Sequence, residues 1–336
     1  MKKLIAVLMV AVMLITAAAG CSAKANENVD SATDSNKADP AAAEKLRIGI
    51  VQAQNHPSLD EIRENIIMGL KEQMKDKVEI IYKDAQSDPT NINTIINQFV
   101  GDKVDMIIPI ATGAAQTALA STKDIPIVFA AVSYPVQAGL VKDLNITDQN
   151  ITGVSNAIAI EEVFKLSQEL TPDVETYGFI YNLGEVNAVS SIERAKKHCD
   201  ANGLKYVEAN ITNSSELLQA VQSLTDKVDA IFVPNDNTVA MAMPVLSQES
   251  IKAGIPVYAG ADSLIKDGGF ATVGIDYKSL GRQTADMAVR ILNGEKIGDN
   301  PIEVINQYSN MINMTTLKAL GLEIDEEKLK DFQLIY

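Results

Sequence analysis

A chain of 336 residues is longer than one hydrophobic core ordinarily serves, so two lobes are expected from size alone. Its 46% apolar residues suffice for globular cores. A formal charge of −15 with no basic run excludes nucleic acid as a partner, because phosphate contacts need clustered lysine and arginine.

Met1 to Gly20 carries Lys2 and Lys3, an apolar run from Leu4 to Ala19, and then small residues before Cys21. This is a secretory signal segment rather than part of the fold, and the run barely reaches membrane-spanning length. Ala18-Ala19-Gly20-Cys21 resembles the lipobox of bacterial lipoproteins, with Ala18 where leucine is usual. That resemblance implies cleavage before Cys21 and lipidation of its sulfur, which anchors the chain to the cell membrane on its extracytoplasmic face. Loss of Lys2 and Lys3 with the signal takes the formal charge from −15 to −17. From Ser22 to about Lys45 the composition turns to Ala, Ser, Asp, Asn, Lys and Glu, too polar to fold, and reads as a tether. Cys199 is the other cysteine, so a lipidated Cys21 leaves no intramolecular disulfide; Cys199 reads as a partly buried helix residue.

Leu46 to Gln52 reads as an apolar strand, and His56-Pro57-Ser58-Leu59 opens a helix with Leu59, Ile62, Ile66, Ile67, Leu70 and Met74 on one face. Val78 to Tyr82 is the next strand, and Ser87-Asp88-Pro89 caps a helix to about Val100. Val104 to Ile110 is a buried strand ending in Thr112-Gly113 and a new helix; Ile125 to Phe129 is a fourth strand. Such βα alternation calls for a parallel sheet covered by helices on both faces.

After an irregular passage over 133–149, the strand Ile151 to Val154 leads to a helix near Glu161 to Leu170, and the alternation restarts. Strands are expected over Thr176 to Tyr181, Leu204 to Ala209, Val228 to Val233 and Pro256 to Tyr258, with helices near Asn187 to Ala201, Ser214 to Leu224 and Thr238 to Lys252. The halves correspond: DKVD occurs at 102 and at 226, and IPIVFAA at 125 answers IPVYAGA at 255. This is a duplication at lobe level, far longer than a solenoid repeat. Phe270 to Ile275 is a further strand, Asp276 opens a helix stopped by Asn293-Gly294, and a strand over Pro301 to Tyr308 precedes a helix over Thr315 to Leu320. These last elements fit no simple division into halves and imply that the chain crosses between lobes more than once.

Taken in order, IGIVQ at 48, HPSLD at 56, IATGAAQTA at 110, PVQAGLV at 135, PNDNTV at 234 and ATVGIDYKSLGRQTADMA at 271 resemble one family, the ABC-transporter substrate-binding lipoproteins of the tryptophan/tyrosine type. The resemblance covers essentially the whole mature domain. It implies a type I periplasmic-binding-protein fold: two doubly wound α/β lobes with parallel sheets, joined by a three-crossover hinge near 151–155, 274–276 and 306–310. The expected organisation is a signal over 1–20, lipidated Cys21 and tether over 21–45, one lobe from 46–153 with 276–306, and a second from 154–275 with 307–336. The resemblance also implies capture of an aromatic amino acid and delivery to an ABC permease driven by its ATPase, by a monomer that does no chemistry on its ligand. Departures fall at Ala53, Asn55, Gly113, Tyr134 and Leu183, where relatives often carry an aromatic, an acid, proline, aspartate and proline; Asn55, Gly113 and Tyr134 sit on cleft-facing loops. Two alternatives stand beside this reading: a surface lipoprotein acting mainly in adhesion or sensing, and a receptor for a different small ligand.

An amino acid presents a carboxylate, an ammonium and a side chain, so its receptor needs N–H or hydroxyl donors, acceptors and an apolar wall. Thr112, with the N–H groups of Gly113 and Ala114, sits where a helix start would receive a carboxylate, although threonine there is also a common N-cap. Ser133 could add a hydroxyl. Asp236, Asn237 and Asp262 occupy the matching turns of the second half, where one carboxylate would pair with the ammonium or simply cap a helix. Asn182, Glu185 and Asn187, in YNLGEVN, resemble the family's YNPGEAN segment and would close over the ligand. Asn55 and His56 lie at the cleft edge, and Tyr134, Tyr181 and Tyr277 are the candidates for an aromatic wall, Tyr134 foremost. No cofactor or metal is expected: two histidines cannot build a histidine-rich site, and HExxH, CxxC, EF-hand, Walker A, GxGxxG and GxSxG patterns are missing. His198 and Cys199 are neighbours on a helix and diverge by about 100°, poor geometry for a catalytic pair.

Overall fold

The computed structural model describes residues 45–145 and 149–336. The predicted signal over 1–20, Cys21 and the tether up to residue 44 lie outside the described residues, as do 146–148 of the irregular passage. The first lobe begins β1 (Leu46–Gln52), α1 (Pro57–Met74), β2 (Val78–Asp84), α2 (Pro89–Gly101), β3 (Met106–Ile110), α3 (Thr112–Ser121), β4 (Ile127–Ala130) and β5 (Ile151–Ser155). β3, β4 and β5 are buried at every position, as strands covered on both faces must be. Asp88 caps α2 by accepting the Thr90 N–H, and Pro89 supplies a preset first helical residue.

The chain then enters the second lobe with α4 (Ile160–Leu170), β6 (Thr176–Asn182), α5 (Val186–Asn202), β7 (Lys205–Ile211), α6 (Leu217–Leu224), β8 (Ala230–Val233), α7 (Asn237–Ala240), α8 (Met243–Lys252), β9 (Val257–Ala259), α9 (Asp262–Lys266) and β10 (Ala271–Ile275). It returns to the first through α10 (Tyr277–Leu292) and β11 (Glu303–Val304), and ends in the second as β12 (Tyr308–Asn313), α11 (Met314–Ala319), α12 (Glu326–Leu329) and β13 (Phe332–Ile335). The sheet orders are β11-β5-β4-β3-β1-β2 and β13-β12-β10-β9-β8-β6-β7. All pairs are parallel except β10 with β12, where Ala271 opposes Ile312. The strand therefore passes between sheets after β5, at Asp276, and between β11 and β12.

Two sequence expectations need correction. The helix expected over 238–252 is two helices broken around Ala242, because Pro244 has no N–H to give and its ring would clash with the Ala240 carbonyl. The strand expected over 301–308 is the two-residue edge β11, followed by β12, which begins only at Tyr308 where the expected strand ends; YSNMIN is too polar for its buried half to stand out. The short α9, α12 and β13 had no sequence signal strong enough to be named.

Most buried aromatic side chains lie in the second lobe's core, with Phe99 and Phe129 in the first's. Phe164 meets Tyr177 at 4.7 Å and Phe232 at 5.1 Å between ring centroids, and Tyr258 meets Phe270 edge-on at 5.5 Å. Cys199 is buried there, and burial pushes its thiol up to about 12, which makes it inert. The first lobe is aliphatic on its α1/α10 side, and glycine lets those two helices touch. A Cβ on Gly281 would lie 2.6 Å from the Ile62 carbonyl oxygen, and one on Gly69 the same distance from the Ala285 methyl. Gly281→Val should therefore lower stability by about 1–3 kcal/mol through overpacking. The measurement is urea unfolding, in which the midpoint falls while the m-value holds.

Candidate functional site

In a parallel sheet the loops that follow the strands share one edge, and both sheets turn that edge toward a common cleft. The lobes meet across it through direct hydrogen bonds. Gln54 Nε2 donates to the Asn237 carbonyl at 2.6 Å, His56 Nε2 lies 3.1 Å from Asn237 Oδ1, Ser58 Oγ donates to Ser263 Oγ at 2.6 Å, and Asn235 Nδ2 donates to Ser133 Oγ at 2.7 Å. The structure is thus a closed form.

Two cavities occupy the cleft, separated by Asn187 and Asn237, which line both. The deep one, near the hinge, is bordered by His56, Ser133, Asn156, Asn235, Asp236 and Tyr277, and has room for little more than a water molecule. The outer one is much larger and open to solvent, spanning about 1280 Å³ with the solvent at its mouth included, against about 400 Å³ for the deep one by the same measure. Thr112, Gly113 and Gln116 line it from the first lobe; Asn182, Glu185, Asn187 and Thr238 do so from the second. Its apolar wall is Ala53, Pro89, Ile92, Val186 and Met241.

On the first lobe the cleft loops are conformationally strained. Gln86, Ser87, Ala111 and Ala131, which follow β2, β3 and β4, all have positive φ without being glycine. Ala111, with φ 82° and ψ 159°, lies in a region otherwise kept for glycine, at a cost of about 1–3 kcal/mol. It precedes α3, whose start has no side-chain cap. The Thr112 hydroxyl is buried, 4% exposed for the residue, and has no hydrogen-bond partner. A ten-residue helix therefore offers uncapped N–H groups and a free hydroxyl to the outer cavity.

The second lobe does the opposite. Asp236, 1% exposed, accepts the N–H groups of Val239 at 2.8 Å and Asn182 at 2.6 Å. Glu185 accepts the N–H groups of Asn237 at 3.0 Å and Thr238 at 2.8 Å, together with the Asn237 amide and the Thr238 hydroxyl. Burial, then the neighbouring Glu185 charge, holds the Asp236 carboxyl well above its ordinary range. Among the described residues, no lysine or arginine lines either cavity.

Of the remaining sequence candidates, Asn182 donates to Thr238 Oγ1 at 2.7 Å, Asn187 donates to the Asn235 carbonyl at 2.9 Å, and Ser133 donates to Asn156 Oδ1 at 2.9 Å. Five candidates line neither cavity: Asn55, Ala114, Tyr134, Tyr181 and Asp262. Asn55 is exposed, Ala114 is buried in the first lobe's core, and Asp262 pairs with Lys266 Nζ at 2.7 Å while its Oδ1 is buried without a partner. Tyr134 packs beneath Arg194, 5.9 Å from its ring centroid. Tyr181 donates to Glu208 at 2.6 Å, away from the cleft, so Tyr277 is the one aromatic side chain among the described residues on either cavity wall. Gln54, Asn156, Asn235, Thr238 and Met241 were missed. Asn235 and Thr238 flank the Asp-Asn pair already singled out, whereas nothing local marks Gln54 or Met241.

The family model for ABC transporter substrate-binding proteins matches residues 47–333. A tyrosine-binding protein of Clostridioides difficile (strain R20291) is 35% identical over 325 residues, 96% of this chain and 93% of that protein. Among solved structures, the ABC domain in complex with L-Trp from Streptococcus pneumoniae has a TM-score of 0.84 at 35% identity, covering 87% of this chain and all of that one. The ligand-free, open structure of a substrate-binding protein with adhesive properties from Clostridium difficile covers the same shares at 36% identity, but its TM-score is 0.68. More distant structures, such as a leucine-binding protein from Thermotoga maritima at 12% identity and TM-score 0.58, share the fold alone. With two crossed-over α/β lobes closing on a polar cleft, the chain belongs to the ABC transporter substrate-binding proteins and has their type I periplasmic-binding fold.

Proposed function

We propose that this protein is a lipid-anchored, extracytoplasmic receptor that binds an aromatic amino acid in its outer cavity and hands it to an ABC permease. The observation that carries the reading is the opposition of two unlike jaws in one cavity. Thr112 and the free N–H groups of α3 face the cleft from one side, and the Glu185 carboxylate lines it from the other. A zwitterion fits that polarity: its carboxylate at α3, its ammonium at Glu185. The names of the tyrosine-binding relative and of the L-Trp complex support an aromatic side chain, which would rest on Pro89, Ile92, Val186 and Met241 rather than on Tyr134.

Sheet membership supports the division into 46–153 with 276–306 and 154–275 with 307–336, except that β5 carries the first lobe on to Ser155. The lipobox-like Ala18 to Cys21 supports the anchor, and no helix among the described residues is long and apolar enough to cross a membrane. The protein acts as a monomer and leaves its ligand chemically unchanged. An adhesive role is the second reading, favoured by the likeness to the Clostridium difficile protein with adhesive properties.

Denaturing purified protein and identifying released small molecules by mass spectrometry, followed by calorimetric titration of an amino-acid panel, tests the ligand. Tryptophan, tyrosine or phenylalanine should bind with a Kd below about 1 mM, and failure of all three sinks the assignment. Because the chain has no tryptophan, bound tryptophan fluoresces without protein background. Thr112→Val and Glu185→Gln should each weaken binding by about 10- to 100-fold, the loss of one charge-assisted contact. Separately, Cys21→Ser should move the protein from the membrane fraction to the soluble fraction on immunoblots; unchanged partition would refute the lipid anchor.

A further inference from the structure

Asn237 belongs to both lobes' hydrogen-bond networks. Its backbone N–H and its amide Nδ2 both donate to Glu185 Oε2, at 3.0 and 2.6 Å. Its carbonyl accepts from Gln54 of the opposite lobe, and its Oδ1 faces His56 of that lobe at 3.1 Å. Since an ionised carboxylate only accepts, the Asn237 amide cannot be turned around, and Oδ1 must point at the imidazole. His56 Nε2 must then carry the hydrogen. The other ring nitrogen, Nδ1, is buried without a partner in a residue that is 8% exposed.

We propose that His56 is a positioning residue rather than a ligand contact: on closure its neutral imidazole grips Asn237 and thereby aims Glu185 at the ligand's amino group. The inference rests on the amine-at-Glu185 reading above. Protonating His56 in the closed form would place an N–H at Nδ1 with no protein acceptor in reach, in a ring that burial keeps from bulk water. The charged groups around the ring are Asp60 on its own helix α1, Asp267 just beyond α9, and Glu185 ahead of α5. Each favours the cation, as does the Asn237 bond, yet burial prevails and holds the imidazole below its ordinary value. In an open form the ring meets water and titrates near its ordinary value of about 6.5. The closed state therefore binds fewer protons than the open one, its advantage is complete above about pH 6.5, and it is lost as pH falls below that.

The test is calorimetry on the purified full chain between pH 7.5 and 5.5. The probes are tyrosine and tryptophan with their desamino analogues, 3-(4-hydroxyphenyl)propionate and indole-3-propionate. Affinity of the wild type for the amino acids should fall by about fivefold or more toward pH 5.5, within the ceiling of about tenfold per pH unit for one proton. His56→Gln keeps a donor but cannot titrate, so it should bind close to wild type at pH 7.5 with a flatter profile. His56→Ala should weaken the amino acids by more than about tenfold at pH 7.5 and the desamino analogues by clearly less, since the analogues lose the lobe-closing bond but not the aimed carboxylate. Parallel profiles for wild type and His56→Gln would overturn the proposal, as would equal losses for both ligand classes in His56→Ala. Should His56→Ala fail to fold, the His56→Gln profile decides alone. If the wild type binds no amino acid at any pH, the receptor reading falls and this inference with it, an outcome distinct from binding with parallel profiles.

Discussion

A parallel strand must be followed by a connection that starts at its carboxyl end, and from this constraint the whole site descends. Two such sheets set edge to edge bring helix starts and strand-end loops into one cleft. Helix starts carry N–H groups that need partners, and the two lobes supply them differently. At α3 no side chain caps the first turn, so its donors remain for something in the cleft. At α7 the carboxylates of Asp236 and Glu185 occupy the donors, so that jaw faces the cleft as an acceptor. One structural unit, used twice, thus gives opposite polarities.

The charge arrangement follows from the same economy. Carboxylates this close would ordinarily be paired with lysine or arginine, because an unpaired buried charge is costly. Here backbone N–H groups hold them, and the Asp236 carboxyl drifts upward toward the neutral form. A cation brought by a ligand then meets acceptors that no protein cation has claimed. Asp262, by contrast, has its own lysine in Lys266, which makes it a poorer partner for an incoming ammonium than its place after β9 suggested.

The βα alternation, the parallel sheets and the return of the chain between lobes were legible because buried parallel strands read as short apolar runs. The cleft was legible only where a residue sits at a strand end. Thr112, Glu185, Asn187, Asp236 and Asn237 are all of this kind, and all line a cavity. Tyr134 sits in the right loop, but its ring turns under Arg194, a choice made by packing across the lobes that local sequence cannot register. Ala111 shows the converse. Its positive φ is imposed by the surrounding structure, and alanine gives no warning of it. Gln54 and Met241 matter through contacts with the other lobe, which are absent from any one segment's pattern.

Closure itself depends on few interactions. The shortest direct bonds between lobes involve Gln54, His56, Ser58 and Ser133 on one side and Asn235, Asn237 and Ser263 on the other, with longer ones from Ser87 to Met241 and from Ser191 to Tyr134. Each such bond contributes about 0.5–1.5 kcal/mol net, since water satisfies the same groups when the cleft opens. Their sum is comparable to what a single well-held ligand can add. A ligand that bridges α3 and Glu185 contacts both jaws only when they are closed, so its binding energy is spent on that state alone. The weakness of the lobe contacts is therefore what makes the position of the lobes report on the ligand.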